Sequence, residues 1–170
     1  MAGRLQTEVK KRKPFEAADQ EAALNIVRTA DRLQLRFERF FREFGLSSAS
    51  QYNILRILRG AGMPLPILEI ASRTVAAVPG ITGLIDRMEA KGLVRRERCL
   101  NDRRVIYVAI TPAGAELLAR IEGPLRALHR DLLGHMTAAE LAELIRLLEK
   151  ARERATENPS PGPSPKRRGE

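Results

Sequence analysis

The sequence predicts a mainly α-helical domain carrying one small β-hairpin. Apolar residues recur at three- and four-residue spacings through most of the middle of the chain, and the period falls to two only between Leu93 and Ile110. Each periodic run also begins or ends on a capping residue, a proline or a glycine. In residues 18–44, Ala23, Val27, Ala30, Leu33, Phe37, Phe40 and Phe44 fall on one face of a long helix that Gly45 should end. Leu24, Ile26, Leu35 and Phe41 widen that face beyond what one neighbour covers. Ser48 and Gln51 have capping-box spacing ahead of Tyr52, Ile54, Leu55, Ile57 and Leu58, so a second, short helix follows and stops at Gly60 and Gly62.

Pro64 and Pro66 open a third short segment over residues 67–74, with Leu68, Ile70 and Ala71 as core candidates and Glu69 and Arg73 facing out. Pro79 marks the start of a fourth helix through Ile81, Leu84, Ile85 and Met88 to Lys91, because proline is tolerated in a first turn. Gly92 is its natural end. The alternating stretches 93–99 and 103–110 then form a hairpin whose tip holds the turn residues Asn101 and Asp102. Thr111 and Pro112 cap and open the next helix, which Gly123-Pro124 should kink or break. Thr137 with Glu140 forms a further capping box ahead of Leu141, Leu144, Ile145, Leu147 and Leu148.

Composition bounds the function. The chain has 170 residues, is 44% apolar and carries a net charge of +9, with a pI near 10.5. That is one core's worth of residues and a preference for polyanions, nucleic acid first and an anionic membrane surface second. No apolar run approaches a membrane span, Trp is absent, and aromatics at 4% disfavour a single-strand stacking platform. The lone Cys99 cannot form an internal disulfide, and no apolar run follows the basic N-terminus to make a signal peptide, so a cytoplasmic protein is the simplest reading. Residues 1–16 read as a basic flexible arm, either a solvated tail or a phosphate-contacting extension, and residues 156–170, with proline at alternate positions, as a disordered tail.

Two short helices followed by a hairpin with Arg95, Arg96, Arg98, Arg103 and Arg104 against Glu97 and Asp102 give the order of a winged helix-turn-helix. A helix of that kind enters the major groove, while the hairpin carries cations to the backbone or adjacent minor groove. His129 and His135 match no strong metal-ligand spacing, and Cys99 is more readily structural than a redox switch. No phosphate loop, catalytic triad or carboxylate pair appears, so no enzyme, cofactor or metal is expected.

The stretch GITGLIDRMEAKGLVRRERCLNDRRVIYVAITPAG, positions 80–114, resembles the MarR family of winged-helix transcription regulators. Asp86, Arg87, Lys91, Gly92 and Leu93 match the family's helix end, and Asp102, Arg104, Thr111 and Gly114 its wing and next helix start. FREFGLSSASQYNILRIL at 41–58 resembles the first-helix end and second helix. The resemblance implies a homodimer with the winged helix-turn-helix over about 47–111 and dimerisation helices over about 17–45 and 112–155. Such a dimer represses a pseudopalindromic operator on double-stranded DNA, with a small aromatic effector as a candidate releasing ligand. By position, Thr82, Gly83, Asp86 and Arg87 belong to the recognition helix; Arg96, Arg98, Asn101, Arg103 and Arg104 to the wing; and Asp102 orients it. Phe37, Phe41 and Tyr52 are candidates for the effector pocket, although a Phe stripe at helical spacing is more often core. Gly83 stands where family members often carry a long polar residue, which leaves a dimeric winged-helix adaptor or nonspecific DNA binder as the alternative.

Overall fold

A computed structural model describes residues 4–75, 78–98 and 105–155. They divide into two compact units, the first ending at Arg126 within the sixth helix and the second beginning at Ala127. In chain order the elements are α1 (Arg4–Glu8), α2 (Ala18–Glu43), α3 (Ala49–Ala61), β1 (Leu65–Pro66), α4 (Ile67–Ser72), α5 (Ile81–Ala90), β2 (Val94–Arg98), β3 (Ile106–Ile110), α6 (Pro112–Leu133) and α7 (Ala138–Ala155). The mainly helical class with a small sheet is therefore the observed one.

The core of the first unit is apolar side chains drawn from many short elements. Ile54, Leu55 and Leu58 of α3, Ile70 of α4, Ile85 and Met88 of α5, Val94 and Val108 of the sheet and Leu118 and Ile121 of α6 are each at most 2% exposed. Burying one such side chain stabilises by roughly 1.5–3 kcal/mol. The sheet has the order β1-β3-β2, all antiparallel, with Val94 opposite Ile110 and Arg98 opposite Ile106. Its third strand, β1, pairs Leu65 with Val108 and Pro66 with Tyr107. A proline fits there because β1 is an edge strand.

Two helix ends use the same device. Gly45, at φ +75°, donates to the Arg42 carbonyl at 2.9 Å, and Leu46 donates to the Phe41 carbonyl at 3.0 Å. At the end of α5, Gly92 donates to the Glu89 carbonyl at 2.8 Å and Leu93 to the Met88 carbonyl at 3.0 Å. In both cases the left-handed glycine turns the chain so that the next leucine, Leu46 or Leu93, is buried. Lys91 Nζ donates to the Gly45 carbonyl at 2.6 Å and so ties the two ends together.

Several expectations need correction. Residues 4–8 of the basic arm are helical: Leu5 is buried, and Glu8 meets Arg32 at 2.8 Å and Arg28 at 3.8 Å, so one leucine and one acid dock what looked like a solvated tail. Leu68 is 84% exposed, because a helix as short as α4 buries only one position, Ile70, and Leu68 lies two residues away on the opposite side. The fourth helix starts at Ile81, two residues after Pro79, since Gly80 at φ +66° makes a turn first. Nor does Pro124 break α6, which continues to Leu133. Gly123 and Pro124 both face solvent, where water can satisfy the carbonyl that the proline leaves unpaired.

The Ser48 box does not form. Gln51 Oε1 accepts from the Ser47 N–H at 2.8 Å, while Ser48 makes no side-chain cap. By contrast, Thr111 Oγ1 accepts from the Gly114 N–H at 3.1 Å, and at α7 Thr137 and Glu140 complete a reciprocal box. In the second unit, α7 has no buried residue, with Ile145 and Leu147 about half exposed.

A Cβ at Gly114 would run into the Leu93 carbonyl oxygen and lie 2.9 Å from Ile110 Cγ1. Gly114→Ala should therefore cost about 1–3 kcal/mol, read as a lower urea midpoint at constant slope. Gly60→Ala, in a helix with open space around the new methyl, should instead stabilise by about 0.5–1 kcal/mol. The hydrogen bonds from Thr137, backbone first and hydroxyl second, hold the Glu140 carboxyl below its ordinary value of 4.5. A depressed folded pKa means the box is intact above that ordinary value and is lost as pH falls through the lower, folded one. Amide protection factors in the first turn of α7, measured against intrinsic exchange at each pH, should fall over that acid window, and in Glu140→Gln they should stay low and flat with pH.

Candidate nucleic-acid interface

α5 has one buried side, formed by Leu84, Ile85 and Met88. That spacing turns Thr82, Asp86 and Arg87 outward, and all three are exposed. The helix begins without a side-chain cap, its first turn closed by Leu84 N–H donating to the Gly80 carbonyl at 3.2 Å. Gly83 lies between the exposed residues with open space where a side chain would be, except for Arg87 Nη1 at 3.8 Å. The outward face is thus a short stretch of bare backbone flanked by the Thr82 hydroxyl, the Asp86 carboxylate and the Arg87 guanidinium.

β2 runs directly on from α5 through the Gly92-Leu93 turn. Its alternation puts Arg95 and Glu97 on one side, where they pair at 2.7 Å, and Arg96 on the other. Arg96 turns back onto α5. Its guanidinium pairs with Asp86 and with Glu89 Oε2 at 3.2 Å and donates to the Thr82 carbonyl at 3.1 Å, while its backbone N–H donates to Glu89 Oε1 at 2.8 Å. The sequence places Arg96 among the wing's DNA-contacting cations; in the structure its side chain is only 21% exposed and engaged by α5. Sequence reasoning missed Glu89 altogether. The signal was present, since Asp86 and Glu89 stand three apart on one helix and so share a face.

Arg98 ends β2 opposite Ile106. Asn101, Asp102, Arg103 and Arg104, together with Cys99, lie outside the described residues.

The three candidate pocket residues part company. Phe41 is 2% exposed, stacks on Tyr52 at 4.9 Å between centroids and meets Phe40 edge-on at 5.2 Å. It is core, and Tyr52 is its packing partner. Phe37 does line a cleft of about 500 Å³, together with Ala30, Leu33, Glu38, Ser48 and Asn53. Among the described residues no group of His, Cys, Asp and Glu gathers as a metal site, and no helix is long and apolar enough to cross a membrane.

A helix with an exposed polar face, leading straight into a three-stranded sheet and flanked by long helices, defines a winged helix-turn-helix regulator. The MarR family profile matches residues 48–106. The homoprotocatechuate degradative operon repressor of Escherichia coli is 32% identical over 99 residues, which cover 58% of this chain and 66% of that protein. The chain thus spans about two thirds of the length of that curated relative. A MarR transcription factor from Planctomyces limnophilus is 47% identical, with 79% of this chain and 98% of that one covered and a TM-score of 0.63. A mutant MarR from E. coli complexed with operator DNA is 25% identical, covering 76% of this chain and 91% of that one, with a TM-score of 0.68. The chain belongs to the MarR family. These relatives are transcription regulators, not enzymes.

The split between Phe41 and Phe37 is measurable. Phe41→Ala should cost about 3–5 kcal/mol of unfolding free energy. Phe37→Ala, at the cleft wall, should cost clearly less in the same urea titration.

Proposed function

We propose that the protein is a homodimeric repressor that reads a pseudopalindromic operator, each subunit placing α5 in the major groove and its wing on the flanking backbone and minor groove. The observation that carries this reading is the exposed face of α5, Thr82, Gly83 and Arg87, set at the root of a hairpin whose sequence continues through Arg98, Arg103 and Arg104. Gly83 favours close approach of backbone to DNA. The family relative crystallised with operator DNA and the one named as an operon repressor support duplex DNA and repression.

Dimerisation is supported by apolar surface the single chain leaves uncovered. Leu24, Ile26, Val27 and Leu35 of α2 are 43–65% exposed, and in the second unit so are Ile145 and Leu147 of α7, at 56% and 49%. Two-fold pairing gives such faces a partner and mirrors a palindromic site. The cleft beside Phe37 supports release by a small ligand that fits better when the two recognition helices are misspaced for successive grooves. Its walls combine apolar groups such as Leu33, Phe37 and Val75 with the polar Gln34, Glu38, Ser50 and Asn53, and no Lys, Arg or His is among the described lining residues, which suits an uncharged aromatic compound with hydrogen-bonding groups better than an acid.

The test is selection of bound duplexes from a random-sequence pool at physiological salt. A recovered pseudopalindrome with half-site centres about one helical turn apart supports the reading. Binding without a motif, with only a steep salt dependence, would move the protein to the nonspecific or adaptor alternative. Arg104→Ala should weaken binding to the recovered duplex by tenfold or so, the scale of a lost specific contact, with the melting temperature and dimer mass unchanged.

A further inference from the structure

Among the described residues of the wing, Arg96 is the cation turned away from solvent toward α5. Three groups of α5 hold it through four contacts: the carboxylates of Asp86 and Glu89 both meet Nη1, the Thr82 carbonyl accepts from Nη2 at 3.1 Å, and Glu89 also takes the Arg96 backbone N–H at 2.8 Å. These partners span Thr82 to Glu89, two turns of α5, and so brace nearly the whole helix against one strand. The planar fork of an arginine can serve three acceptors at fixed angles, which a lysine point charge cannot.

The charges matter as well as the geometry. α5 carries Asp86 and Glu89 against Arg87, so without Arg96 the helix would offer a net negative charge to a polyanion. Arg96 neutralises both acids where they stand. We infer that Arg96 is a positioning residue for DNA binding: it fixes the angle between recognition helix and wing and cancels the acids of α5, and it does not contact phosphate. Asp86 and Glu89 are its counterparts in that role, and Asp86 is not a base reader. The inference rests on the duplex-binding reading above.

The experiment measures affinity against salt concentration, on a duplex recovered from the pool, for the wild type, Arg96→Gln, the pair Asp86→Asn with Glu89→Gln, and all three together. A wild type that binds no duplex would sink the functional reading itself, before any variant is compared. As a positioning residue, Arg96→Gln should lose about tenfold or more in affinity, with the slope of log affinity against log salt unchanged. The acid pair, although its removal makes the DNA-facing side more positive, should also lose affinity, and the triple variant should lose no more than Arg96→Gln alone. A direct phosphate contact gives the opposite pattern: a slope smaller by about 0.9 in Arg96→Gln, and unchanged or tighter binding when the acids are removed. Additive losses would return Asp86 to the base readers and overturn the inference. Thermal melts accompany each variant; should Arg96→Gln fail to fold, the acid pair, which keeps the arginine, and Arg96→Lys, expected to rescue little, carry the same discrimination.

Discussion

The turn at Gly92-Leu93 is the point on which the winged part of the molecule depends. Here α5 ends and β2 begins, and a third element locks the joint. The Thr111 hydroxyl donates to the Gly92 carbonyl at 2.6 Å, its N–H donates to the Leu93 carbonyl at 3.2 Å, and the missing side chain of Gly114 lets α6 press against that carbonyl. One threonine therefore does two tasks, capping α6 through Gly114 and fastening the end of α5. Every group in this joint is backbone or a short side chain. Its geometry is set by close approach, which tolerates little change of volume.

Charge is distributed with the same economy. The chain is strongly basic, yet many described arginines are spent in pairs: Arg59 with Glu122, Arg73 with Glu69, Arg95 with Glu97, and three arginines around Glu8. Exposed pairs of this kind contribute only about 0–1 kcal/mol each. Their larger consequence is where they leave positive potential. The pairing of Arg95 with Glu97 and of Arg96 with the acids of α5 engages both cations at the start of β2.

Helix order was legible because α2, α3, α6 and α7 carry long periodic patterns and punctuating residues. Gly45, Gly92, Thr111 and Thr137 end or cap helices as their types require, and those capping bonds run to neighbours within a few residues. What stayed hidden depends on partners far along the chain. β1 is only two residues long and exists because Val108 and Tyr107 accept it on a free edge. Docking of α1 by Leu5 and Glu8 needs arginines some twenty positions away. Spacing points the wrong way for Phe41 and Phe37, since Phe37 lies on the regular stripe of α2 and Phe41 only widens it, yet Phe41 is the buried one. Only the packing of Tyr52 separates core from cleft wall. Arg96 was read by composition, as one more basic residue in a hairpin, whereas its acceptors sit on a different element.

The exposed apolar faces bear on how folding and assembly are linked. The winged lobe carries its own core, built where α3, α4, α5, the sheet and the first half of α6 meet, and its elements cover one another. The N-terminal half of α2 has no comparable cover, and α7 buries nothing at all. Helices of such length hold their structure mainly by packing an amphipathic face rather than by intrinsic propensity. In the proposed dimer that packing comes from the second subunit, so order in these helices rises with protein concentration while the lobe's does not. In the function proposed above, the spacing between the two winged lobes is left to these helices. In that proposal a small ligand beside Phe37, where α2 meets the start of α3, acts by changing half-site spacing rather than by disturbing either α5.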